Sequence, residues 1–325
     1  MKDPFIIFQK LKGIDDSVKG LIKVKDIPGI PQHKIGISTS GMPMFFIATQ
    51  DIDRDALDIN LKLIEVQFQK DCELYNDNGE IQKGVFSIVA LKTNSDDLVK
   101  YFIFTVFYLI KQLGETPSFQ QIKNELNNLV NLFRSLSKPP KDSIQGLWTE
   151  LLIIEQSNDP EYLLKSWHQS KTDRYDFNDG IDKLEVKSTN KQDRIHRFSH
   201  SQLTNVDNTL ILIGSTFTIE TGKGTCANDL IVSICNRVED QNCIKKLNEI
   251  VAGTMGDKIE QIFEFYFDYN YAINSLKYFN VNDIPTIDIQ AIPAEITNLK
   301  FDCNLSKVRT INDVSINSKL LNAIL

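Results

Sequence analysis

Two short apolar-alternating runs, residues 173–177 and 181–187, flank Asn178-Asp179-Gly180. Asn, Asp and Gly tolerate the left-handed backbone of a tight turn, so this spacing predicts a β-hairpin. The hairpin constrains the chain more than any other feature, because it fixes which side chains meet. Side chains alternate across a strand, so Glu185 and Lys187 share one face while Leu184 and Val186 point to the other. Asp176 lies just before the turn and is expected within reach of Glu185.

The rest of the chain supplies a frame for that hairpin. With 325 residues the length suits two domains. Strand-like runs occupy 33–40, 44–49, 61–75 and 80–93, with Asn76-Asp77-Asn78-Gly79 as a turn signal between the last two. Residues 96–113 follow a Ser95-Asp96-Asp97 capping pattern and read as a helix. Residues 118–137 carry Ile122, Leu126, Leu129, Val130 and Phe133 along a second helical face, which is core packing and not a zipper. Lys138-Pro139-Pro140-Lys141 then breaks the helix and serves as the linker, dividing 1–137 from 138–325. Beyond it come a helix at 143–157, the hairpin, a buried strand at 209–219 and helices at 227–238 and 241–252. Residues 258–279 are helical in part, and 286–292 are expected as a strand. The fold class is α/β (α+β), with helices flanking a mixed sheet and a strand-rich N-terminal domain in front.

Several function classes are excluded. The five cysteines form no C-x-x-C pair, and only four histidines occur, with no H-E-x-x-H. Neither a disulfide framework nor a thiolate or zincin metal centre is indicated. Thr221-Gly222-Lys223-Gly224-Thr225 lacks phosphate-loop spacing and reads as a turn. The most apolar run, 101–110, is too short to span a membrane, and the N-terminus has no signal-peptide pattern, so the cytoplasm is expected. Net charge is −7, shared as −1 over 1–137, −1 over 138–204 and −5 over 205–325. Within this acidic chain, residues 183–200 form a local basic stripe, and Lys191, Arg194, His196 and Arg197 are the candidates for phosphate contacts.

Two carboxylates and a backbone carbonyl, such as that of Val186, offer hard oxygen ligands suited to Mg²⁺. A metal there would polarise a phosphate and activate water, and Lys187 would orient that water and stabilise the transition state. Asp173, Asp179 and Asp182 are better explained by the turn and strand edge, and Glu155 by solvent.

Asp176 followed by Glu185-Val186-Lys187 resembles the PD-(D/E)XK nuclease signature, with Tyr175 in the proline position. Gly146-Leu147-Trp148-Thr149-Glu150-Leu151-Leu152 resembles the helix that precedes it in that superfamily, and Glu150 takes the place of its metal-holding glutamate. The segment 196–203 resembles the opening of the next helix, with Gln202 as the glutamine that reaches back. The likeness covers 143–205. It implies a restriction-endonuclease-like core and a Mg²⁺-dependent endonuclease acting on DNA, with Mn²⁺ as a substitute. Asp176, Glu185, Lys187, Glu150 and Gln202 are then catalytic, and Asp176, Glu185, Val186 and Glu150 hold metal. An uncharacterised bacterial family of this kind is met in restriction-modification-like defence loci beside ATPases, helicases and methyltransferases, which become expected partners. Cutting both strands calls for a homodimer or partner subunit. An RNA-processing nuclease would share the site. The alternative is a catalytically silent subunit that recruits a partner ATPase or methyltransferase.

Overall fold

The computed structural model describes residues 4–12, 22–52, 56–76, 80–136, 143–169, 173–205, 209–288, 292–293, 295–311 and 318–325. Residues 77–79 of the turn signal at 76–79 and the linker at 138–141 lie outside these residues. The chain divides into two compact units, Met1–Pro139 with Gly256–Glu260, and Pro140–Met255 with Gln261–Leu325.

The first unit runs α1 (Pro4–Lys12), β1 (Ile22–Ile27), β2 (Ile30–Ile37), β3 (Pro43–Ala48), β4 (Ile59–Asn60), β5 (Ile64–Tyr75), β6 (Ile81–Leu91), α2 (Asp96–Leu113) and α3 (Phe119–Ser135). Its strands order β1-β2-β3-β6-β5-β4, and a parallel pairing of Ile22 and Lys23 with Leu74 and Tyr75 returns the sheet from β5 to β1. The sheet therefore curls back on itself at one end of β5, while the two-residue β4 remains at its edge. Val24, Phe46, Leu74, Phe86 and Ile88 fill one cluster in it. Gly36 is required by that packing, because a Cβ there would lie 2.8 Å from the Phe46 ring and 3.0 Å from the Lys23 carbonyl. Ser95 caps α2 by accepting from Leu98 N–H, as its capping pattern predicts. Neither α1 nor β1 stood out in the sequence, for both are short and flank residues 13–21, which lie outside the description.

The second unit carries α4 (Ile144–Gln156), α5 (Pro160–Ser166), β7 (Phe177–Asn178), β8 (Lys183–Thr189), β9 (Ile195–Ser199), β10 (Ile211–Phe217), β11 (Glu220–Thr221), β12 (Thr225–Cys226), α6 (Ala227–Arg237) and α7 (Gln241–Met255). Then follow α8 (Gln261–Glu264), β13 (Tyr266–Phe267), α9 (Tyr269–Ser275), β14 (Lys277–Asn280), β15 (Lys300–Asn304) and α10 (Lys319–Ile324). Its main sheet orders β14-β10-β8-β7, with β8 and β10 parallel and the outer pairings antiparallel. The fold thus combines helices with mixed sheets, an α+β arrangement. Helix α4 packs on β8 and α6 packs on α4. A separate antiparallel ribbon joins β9 to β15.

Two expectations need correction. Residues 196–203 do not open an α-helix. They form the end of β9 and a single 3-10 turn, His200–Leu203, because Phe198 and His196 alternate inward at strand spacing. Residues 286–288 have no regular structure, and the strand of this region is β15. Pro285 and Pro293 punctuate the stretch and withhold ladder donors. Residues 258–279 are helical in part, as expected, with α8 and α9 separated by β13 and followed by β14. No helix among the described residues is long and apolar enough to cross a membrane.

Candidate active site

Helix α4 is buried almost all round, with Leu147, Trp148, Leu151, Leu152, Ile153 and Ile154 in the core. A carboxylate on such a helix is costly unless it is hydrogen-bonded. Glu150 is 7% exposed, and its Oε2 accepts from the Trp167 indole at 2.6 Å and from His168 Nε2 at 2.9 Å. Both donors come from the end of α5. His168 has φ +39°, a conformation uncommon outside glycine, and its own N–H donates to the Asp176 carbonyl at 2.9 Å. That backbone bond brings the imidazole beside the first hairpin strand.

The hairpin forms around Gly180, at φ +91°, with Phe177 opposite Leu184 and Asn178 opposite Lys183. Asp176 Oδ2 accepts the Val186 N–H at 2.7 Å, so the carboxylate is locked to β8 beside Glu185. Glu185, 4% exposed, accepts from Lys187 Nζ at 2.5 Å and from Gln202 Nε2 at 2.6 Å. Lys187 also lies over the Phe198 ring, 5.9 Å from its centre. Gln202 is held by the Ser199 N–H, which donates to its Oε1 at 3.0 Å. Tyr175 is buried among Phe198, Leu203 and Ile213, and its hydroxyl donates to the Gln202 carbonyl at 3.2 Å. The residue in the proline position therefore anchors the turn that carries the glutamine.

Ligand atoms of Glu150, His168 and Asp176 lie within 4.8 Å of one another. Burial raises the Asp176 pKa well above the usual carboxylate range, and the charges of Glu185 and Glu150 add to it, against the Val186 N–H and Lys187. Burial also raises Glu185, opposed by the charge and hydrogen bond of Lys187. Burial disfavours the His168 cation, but the Glu150 hydrogen bond and the charges of Glu150, Glu185 and Asp173 outweigh it and lift its pKa. Carboxylates crowded in a low-dielectric site with a single lysine leave room for added positive charge. The chemistry of this donor set fits a divalent cation.

Val186 meets the cluster through its N–H, which serves Asp176. His168 did not emerge from the sequence, since it follows a short helix and belongs to no periodic run. Its only local signal is the Trp-His pair that closes the α5 segment.

Two of the four basic-stripe candidates are turned inward. Arg194 is 5% exposed, donates to the Ser215 carbonyl at 2.6 Å and to the Ser275 carbonyl, and stacks on Phe217. His196 is 4% exposed and bonds Ser215 Oγ at 2.7 Å. Groups held this way are not presented to a phosphate; they brace the ribbon against β10. Lys191 and Arg197 are exposed, and Arg197 pairs with Asp302 at 2.8 Å. Asp179 accepts the N–H groups of Ile181 and Asp182 in the turn, and Asp182 accepts that of Leu210. Asp173 lies half-buried upstream of the hairpin. Glu155, expected in solvent, is half-buried and accepts from Ser233 and Tyr269. Residues 221–225 turn between β11 and β12.

The family described as "Putative PD-(D/E)XK family member, (DUF4420)" matches residues 29–306. The chain belongs to this family. No curated protein and no solved structure matches it. The PD-(D/E)XK family match reaches far beyond the motif-bearing 143–205 and takes in most of both units. The residues that carry the resemblance, Tyr175, Asp176, Glu185 and Lys187, all lie inside the matched stretch.

Proposed function

We propose that this chain is a divalent-cation-dependent endonuclease that hydrolyses DNA phosphodiester bonds, with Asp176, Glu185 and Lys187 at its centre. The observation that carries the reading is that Asp176, Glu150 and His168 bring ligand atoms within 4.8 Å of one another, with the buried Glu185 and its ion-paired Lys187 beside them. We read α4, the β7–β8 hairpin, β10 and α6 as the restriction-endonuclease-like core that supports it.

Asp176 and Glu150 would hold the cation, with Glu185 completing the acidic wall, and His168 would join them on giving up a ring proton to solvent. Two carboxylates suit Mg²⁺, and an imidazole nitrogen adds preference for Mn²⁺. The bound cation supplies positive charge at a phosphate oxygen and makes a nearby water more acidic. Lys187, steadied between Glu185 and Phe198, holds a proton at Nζ and donates it as a hydrogen bond to the attacking water and the developing phosphate charge. Gln202 keeps the Glu185 carboxylate oriented from the far side. Trp167 and His168 fix Glu150, so the wall does not collapse into the apolar packing of α4. Cutting both strands of a duplex requires a second copy or a partner subunit. A place in a restriction-like or phage-defence system, in the cytoplasm beside an ATPase, helicase or methyltransferase, fits such an activity.

Lys187→Ala tests the division of labour. Plasmid nicking in Mn²⁺ should fall to background while calorimetric Mn²⁺ binding stays within about threefold of the parent. Undiminished nicking by the folded variant would remove Lys187 from the chemistry.

A further inference from the structure

The β9–β15 ribbon has two chemically different faces. Opposite residues on an antiparallel pair share a face. Phe301 and Cys303 therefore stand with Phe198 and His196 on the inner side, and Lys300, Asp302 and Asn304 with Ser199, Arg197 and Ile195 on the outer. The exposures agree, for Phe198 and His196 are buried, whereas Lys300, Asp302, Asn304, Ile195 and Arg197 are exposed. The inner face lies against the site, because Phe198 sits under Lys187 and the chain leaving β9 delivers Gln202 to Glu185.

The ribbon and the loop and turn joined at its end gather cations from distant parts of the sequence. Leu305 N–H donates to the Arg194 carbonyl at 2.9 Å, and Arg194 N–H donates to Ser306 Oγ at 3.1 Å. These bonds bring the 3-10 turn ending at Lys307 against the loop that carries Lys191. Over segments 191–199 and 300–309, the exposed charges are Lys191, Arg197, Lys300, Lys307 and Arg309 against Asp193 and Asp302. This is a basic surface on a chain of net charge −7, and three of its cations come from the most acidic third. The Arg197–Asp302 pair is solvent-exposed, with side chains 72% and 50% accessible. Such a pair is weak and opens readily for a stronger anion.

We propose that the outer face of the β9–β15 ribbon, with the loop and turn joined at its end, is the surface on which the nucleic-acid phosphate backbone is held, through Arg197 and Lys300 on the ribbon and Lys191, Lys307 and Arg309 beside it. The proposal rests on the nuclease reading. The ribbon adjoins the cleavage site through the Gln202 turn, and a two-stranded ribbon is an element that a duplex groove admits. Contacts of this kind are independent of base sequence and weaken steeply with salt, since each releases a condensed counterion.

The test is fluorescence anisotropy of a labelled duplex of about 20 base pairs, its single strand and the matching RNA, in EDTA so that nothing is cut, across a salt series. Lys300→Glu/Lys307→Glu is compared with the parent and with Lys223→Glu/Lys319→Glu, which makes the same charge change at two exposed positions elsewhere in this unit. The ribbon variant should bind at least about tenfold more weakly, with a logarithmic salt slope shallower by about two, while the control stays near the parent. Thermal melts check that each protein is folded. Equal weakening of both variants would assign the effect to net charge and overturn the ribbon. Parent-like binding by the ribbon variant would also overturn it and leave the nuclease reading intact. Failure of the parent to bind any of the three probes would overturn the ribbon, while the nuclease reading would be decided separately by plasmid cleavage in Mn²⁺.

Discussion

Gln202 donates its side-chain amide to Glu185 across 2.6 Å, although seventeen positions separate them in the chain. Glu185 is almost fully buried, so losing this donor leaves a carboxylate oxygen with Lys187 as its remaining named partner. Gln202→Ala should reduce stability by about 1 kcal/mol, the cost of one buried hydrogen bond. On the nuclease reading it should also slow single-turnover cleavage by about tenfold or more, because the acidic wall loses its orientation. Cleavage at the parent rate by the variant would show that Gln202 is only a structural prop.

His168 holds Glu150 and stands within ligand range of Asp176. His168→Ala is expected to weaken Mn²⁺ binding about 10-fold to 100-fold in calorimetry, the usual effect of removing a ligand or its support. Mg²⁺ affinity should fall less, since Mg²⁺ relies on oxygen donors. An unchanged Mn²⁺ isotherm would exclude the imidazole from the cation site.

His196 provides a pH signature of folding. Burial, followed by the charges of Lys187 and Arg194, lowers its pKa to about 4. Arg194 donates to Ser215 Oγ, which leaves the Ser215 proton for His196 Nε2 and matches a neutral ring. In the unfolded chain a histidine titrates near 6.5, so between those values the unfolded state binds more protons. The stability contribution is fully present above about pH 6.5 and is lost as pH falls towards 4, at most about 3 kcal/mol. Urea midpoints of the parent should therefore drop more steeply between pH 7 and 4.5 than those of His196→Gln. Parallel curves would mean that His196 titrates normally in the fold.

The hairpin was legible because local rules encode it, whereas Gln202 came only from the resemblance of residues 196–203 to a helix opening that the fold replaces with a strand end and a 3-10 turn. Asn178-Asp179-Gly180 specifies the turn, and alternation alone puts Glu185 and Lys187 on one face. Strands β2, β3, β5 and β6 and helices α2, α3, α4, α6 and α7 likewise carry their own periodicity. Other features depend on distant partners. Arg194 and His196 look like solvent residues until Ser215 and Ser275 are brought beside them to satisfy their polar atoms. Strand β9 is invisible as a strand without β15, whose residues stand about a hundred positions away. His168 acquires its role only because its N–H pairs with the Asp176 carbonyl across the turn out of α5. No pattern of residue types in the neighbouring sequence demands that pairing.

The central claim is that Asp176 and its neighbours form a cation site that drives phosphodiester cleavage. Calorimetric Mn²⁺ titration of the parent and of Asp176→Ala, run beside plasmid cleavage by the same preparations, tests it most directly. The account predicts saturable binding and nicking in the parent, with both abolished in a variant that still melts cooperatively. A parent that binds no divalent cation, or a folded Asp176→Ala that cuts as well as the parent, would contradict it and favour a silent subunit that assembles with a partner.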